Sequence, residues 1–131
     1  LEKLIAGYYI GQFVQFDLSH RRLSCLDPKS RSTIKEYRMR DTMTRLFLFL
    51  LQNANNKVVL KKDVLYHVWD VHGLKSSNQR LWQVMQSLQL RLLSLQVPGD
   101  FIISKQTSEG TGIYLNGKII RPYYFDINSL A

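Results

Sequence analysis

Between Leu74 and Leu95, glutamine recurs at 79, 83, 86 and 89, with Lys75, Arg80 and Arg91 among the same residues. An amide side chain offers a donor and an acceptor side by side, so it can pair with two atoms of a base edge. Lysine and arginine supply charge-assisted bonds to phosphate oxygens. From Val71 to Gly99 there is neither Asp nor Glu. Charge that attracts a phosphate backbone, beside amides that can discriminate between bases, is chemistry suited to a polyanionic partner. The bland alternative is an amphipathic helix whose glutamines are merely hydrated.

Those residues must be positioned by a helix. Ser76, Ser77 and Asn78 offer side-chain oxygens for the first free N–H groups. Leu81, Val84, Met85, Leu88 and Leu92 then recur at spacings of three and four, which predicts one buried face. Gln79, Trp82, Gln83, Gln86 and Gln89 fall opposite. Pro98-Gly99 stops the helix. Trp82 lies off the apolar stripe; a packed tryptophan is the commoner outcome, and an exposed one could stack on a sugar or meet a partner.

The whole chain sets the frame. At 131 residues it predicts one domain able to bury a core without staples. Its 18 Lys and Arg against 10 Asp and Glu leave a net charge of +8. That excess favours phosphate backbones or anionic surfaces. The excess is uneven: residues 1–40 carry net +4, residues 74–99 net +3, and residues 100–131 none. Cys25 is the single cysteine, so no internal disulfide or cysteine-based zinc site can form, and a reducing, cytoplasmic setting is expected. In its apolar context Cys25 reads as a small buried hydrophobe. No signal peptide is apparent, and the six-residue run Leu46 to Leu51 cannot span a bilayer. The first residue is Leu1, not methionine, so a membrane segment elsewhere in a longer protein stays open.

Along the chain, Tyr8 to Phe16 alternates as one strand, Arg21 to Leu26 is a second, and Thr33 to Tyr37 a short third. Asp27-Pro28-Lys29-Ser30 is a turn. Asp41 and Thr42 are expected to cap a nearly all-apolar helix that ends at Asn53 to Asn56. Lys57 to Leu60 is extended. A helix from Lys61 to Trp69 follows, with Val64, Leu65, Val68 and Trp69 inward, and then the loop Asp70 to Lys75. Phe101 to Gln106 and Thr111 to Leu115 form a hairpin around Thr107 to Gly110. The fold class expected is α+β: an N-terminal antiparallel meander, three helices and a C-terminal hairpin. The domain would cover residues 7–116. Residues 117–131 read as a tail or the start of a linker, with Tyr123, Tyr124 and Phe125 either packing back or marking that linker.

This order resembles the winged helix-turn-helix domain of the OmpR/PhoB-type transcriptional regulators, and most of all their ToxR/CadC-like branch. Three places between Tyr9 and Leu115 carry it. Ile10-Gly11-Gln12-Phe13 with Arg22-Leu23 looks like the opening strands. Leu65-Tyr66-His67-Val68-Trp69 matches a Leu-x-x-Val-Trp ending of the second helix. Gly112-Ile113-Tyr114-Leu115 stands where the family has Gly-Tyr-x-Leu. Where the family's third helix ends Leu-Arg-Arg-x-Leu, this chain has Leu88-Gln89-Leu90-Arg91-Leu92, so two arginines are replaced by Gln89 and Leu90. Ile113 replaces the aromatic of the wing.

The resemblance implies a bacterial DNA-binding domain whose third helix enters the major groove. Gln79, Gln83 and Gln86 would then face base edges, and Arg80 and Arg91 would sit nearer phosphates. Lys75, contributing charge, and Ser76, Ser77, Trp82 and Gln89 complete the DNA-binding set expected on this helix. In the hairpin, Lys105 and Thr107 would meet the backbone or minor groove, against the opposing charge of Glu109. The implied partners are double-stranded promoter DNA, RNA polymerase through the Asp70–Lys75 loop, and either another copy on tandem sites or a membrane-protein partner. That loop reads equally well as a connector. The implied location is cytoplasmic, or the cytoplasmic part of an inner-membrane-anchored regulator. The competing reading is a degenerate winged helix that binds protein, motivated by Trp82, Leu90 and the replaced arginines. A general nucleic-acid binder is the third. His20, His67 and His72 lack ligand spacing, and no nucleophile elbow, phosphate loop or carboxylate pair appears. No enzyme, cofactor or metal is expected.

Overall fold

The computed structural model describes residues 3–33 and 35–126. Its first half is built of short strands, β1 (Ile5–Ile10), β2 (Val14–Asp17), β3 (Arg22–Cys25) and β4 (Glu36–Arg38). β2 and β3 alternate buried and half-buried residues, as strands with one solvated face do. What reads in sequence as one strand, Tyr8 to Phe16, is two. Gly11 turns the chain at φ +64°, a conformation that favours glycine, and Tyr8 pairs with Phe16 across the resulting hairpin.

Three helices follow: α1 (Asp41–Asn53), α2 (Lys61–Val68) and α3 (Asn78–Ser94), with a two-residue strand β5 (Val59–Leu60) between the first two. Asp41 and Thr42 do not cap α1. The N-cap is Arg40, without a side-chain cap bond, and Asp41 instead forms an ion pair with Arg21. A long hairpin, β6 (Ile102–Thr107) and β7 (Gly110–Leu115), comes next. A short 3-10 turn then leads into β8 (Ile120–Tyr124).

The sheets are antiparallel. One has the order β4-β3-β2-β1-β8 and the other β5-β7-β6. β8 corrects the expected boundary at residue 116. The segment read as a tail or linker start is a strand that pairs with β1, Tyr8 opposite Pro122 and Ile10 opposite Ile120. Pro122 is tolerated there because β8 is an edge. Tyr123 comes so close to Gly7 that a Cβ at that glycine would strike the tyrosine ring and the Phe16 carbonyl. Residues 127–131 of the expected tail lie outside the described residues.

One core joins these layers. Phe16 of β2, Phe47 of α1 and Phe101 before β6 meet ring to ring, and Leu46, Leu50, Leu88 and Leu115 are fully buried around them. Cys25 is buried in the same cluster. Leu81, Leu88 and Leu92 of α3 are buried, and Val84 and Met85 half-buried, so the expected apolar face of that helix is the observed one. Among the described residues, no helix is long and apolar enough to cross a membrane.

Candidate functional site

The site is best built from α3 outward. Ser77 starts the helix: its Oγ accepts from the Arg80 N–H at 3.1 Å, while Ser76 and Asn78 play no capping part. The far end is tied to the first sheet. The Ser94 hydroxyl meets that of Tyr37 at 2.8 Å, and Gln96 donates its amide to Asp27 at 3.2 Å. Helix α3 is thus fixed at its start by a cap and at its end by two long-range polar contacts.

Between these anchors, Gln79, Gln83 and Gln86 are exposed. Their spacing of four and three places them on one stripe of the helix. They continue into Leu90, four residues on, which is 63% exposed, with Leu93 beside it at 50%. Trp82 is not packed: it stands 61% exposed at the edge of the stripe. Its position lies on the flank of the helix, about a third of a turn from Leu81 and Leu88, which are the residues that enter the core.

Gln89 departs from expectation. It turns toward the hairpin and donates to the Ile102 carbonyl at 3.3 Å, so its amide braces α3 against β6. Together with Trp82, Gln86 and Lys61 it lines a groove between α3 and the hairpin, floored by Leu81 and Ile113 and rimmed by Ser104 and Thr111. Arg91 turns the other way. Its guanidinium lies 5.4 Å from the centre of the Tyr37 ring and touches the Met43 sulfur. It is half-buried, not extended into solvent.

Arg80 donates to the Lys75 carbonyl at 3.0 Å, which holds its side chain across the start of the helix. Lys75 itself is exposed and Ser76 half-buried. In the hairpin, Lys105 lies 4.3 Å over the Tyr114 ring. Thr107 is a turn residue: its hydroxyl donates to the Gly110 carbonyl and accepts from the Glu109 N–H. The loop after α2 is a 3-10 turn, Asp70–His72, closed by Gly73 in the left-handed region; it exposes Val71 and Leu74.

The structure also brings in residues that the sequence reading passed over. Arg40 and Thr42, at the start of α1, share a cleft with Arg80, Gln83, Ser87 and Arg91 of α3. Trp69 closes its floor. The only signal in sequence was the basic excess of residues 1–40, which does not say which arginine reaches α3. Among the described residues, no group of three or more His, Cys, Asp or Glu could hold a metal ion. Compared with protein-family models and with curated proteins, the chain matches none.

Proposed function

We propose that this chain is a sequence-specific duplex-DNA-binding domain, a winged helix-turn-helix of the OmpR/PhoB type and its ToxR/CadC-like branch, serving a bacterial transcriptional regulator. The observation that carries this reading is the row Gln79, Gln83 and Gln86. It is exposed on a helix capped by Ser77, within a stretch from Val71 to Gly99 that has no carboxylate. In this reading α2 and α3 are the helix-turn-helix pair and the Asp70–Lys75 segment its turn. The β6–β7 hairpin is the wing, and its Lys105 meets backbone or minor groove. Phosphates supply affinity, and the amides supply discrimination.

A second reading has its own support. Trp82, Leu90 and Leu93 expose apolar surface on the same helix, as a protein-docking face would. One experiment separates the two. A duplex is selected from a random pool on the pure domain, and binding is then titrated over a salt series. Contacts to about four to six phosphates predict a log–log slope of roughly −4 to −5. A pool that yields no preferred duplex, with a flat salt dependence, would replace DNA reading by protein docking.

A further inference from the structure

We propose that the cleft walled by Arg40, Arg80 and Arg91 seats one phosphate of the duplex backbone, alongside the amide row. This rests on the DNA reading above and adds a site to it, with Arg40 as its new member. The cleft holds about 420 Å³ and opens between the start of α1 and one flank of α3. Three arginines line it, and none of its lining residues is acidic. A net positive cleft of this kind attracts an anion.

Two of the three arginines are held in place by neutral groups. Arg80 is fixed through the Lys75 carbonyl, and Arg91 by the Tyr37 ring and the Met43 sulfur. A guanidinium has five N–H donors, so each keeps its charge and most of its donors for a ligand. Among the described residues, the Arg40 guanidinium makes no hydrogen bond or ion pair. The nearest carboxylate in sequence, Asp41, lies in the adjoining hollow, which Arg40 also borders, and is paired there with Arg21.

Neutral donors complete the seat. The Thr42 hydroxyl accepts from Arg45 at 3.3 Å, leaving its own proton for another partner. Ser87 adds a second hydroxyl from α3. Helix α1 begins here with no side chain capping its first N–H groups, so its positive end adds to the field. Gln83 lines the cleft and also belongs to the amide row. A phosphate held here would fix how deep and at what angle that row meets the bases, as a positioning contact does.

The test is a salt series on a mixed-sequence duplex, read by fluorescence anisotropy, with four proteins: wild type, Arg40→Gln, Arg40→Lys and Arg121→Gln. Arg121 is the control because it lies on β8, at the opposite edge of its sheet from β4. Arg40→Gln is expected to lower the log–log slope by about one unit, the worth of one phosphate contact. Arg40→Lys should restore it, and Arg121→Gln should match wild type. A steep wild-type slope that Arg40→Gln leaves unchanged would overturn the seat and leave the DNA reading standing. An equal drop in Arg121→Gln would also overturn it, in favour of net charge alone. A wild type without salt-dependent binding would remove the seat and the DNA reading together.

Discussion

Up to Gln86, the exposed stripe of α3 is amide; from Leu90 onward it is apolar. The polar residues of the second half are drawn inward, Gln89 to the Ile102 carbonyl and Arg91 to the Tyr37 ring, while Leu90 and Leu93 face out. In the first half glutamine is outside and Leu81 inside, with Trp82 the one large apolar side chain that also faces out. Residue type alone therefore does not separate surface from scaffold along one helix. The neighbouring elements do. Where β6 and β4 approach, a polar side chain finds a partner that fixes it: Gln89 braces the hairpin, and Arg91 is steadied at the rim of the arginine cleft. Where nothing covers the helix, it stays free to bind.

The largest effect that bears on this comparison is on the core beneath both halves. Leu88 is fully buried, so Leu88→Ala should cost about 2–5 kcal/mol in unfolding free energy. Chemical denaturation reads it directly; a loss under about 1 kcal/mol would mean that the stripe is wrongly phased.

Two smaller losses, each about 1 kcal/mol, set the ends of the helix apart. Ser77→Ala removes the cap of the first half. Gln89→Ala removes a bond that braces the second half against the hairpin. Both should appear in thermal unfolding. Gln89→Ala should leave the preference of selected over scrambled duplex unaltered, and a changed preference would return Gln89 to the reading row. The smallest effect is that of Leu90→Gln. At 63% exposure the leucine contributes little, so stability should move by less than about 0.5 kcal/mol. A larger drop would show that Leu90 packs in solution.

Much of this was legible from residue order. The buried stripe of α3 follows its three-and-four spacing, and the β6–β7 hairpin follows two extended runs around Thr107 to Gly110. Each is a local pattern. What escaped depends on distant contact. Ile120 to Tyr124 becomes a strand only because β1 offers an open edge and Gly7 leaves room for Tyr123. Continuous aromatic alternation hid the turn at Gly11. Gln89 and Arg91 sit on the flanks of the stripe, where burial is decided by what packs against the helix and not by the helix itself. Arg40 and Arg80 are forty positions apart, and only the packing of α1 on α3 brings them to one cleft.

In the proposed function the exposed amides of the first half read bases. Its most direct measurement is a paired titration of wild type and Gln86→Ala, on the selected duplex and on a scrambled one, at two salt concentrations. If Gln86 reads a base, Gln86→Ala loses about 1–3 kcal/mol on the selected duplex, the worth of one bidentate base contact. On the scrambled duplex, where phosphates carry the binding, the loss should be almost nil. Equal losses on both duplexes, or no loss on either, would contradict that reading.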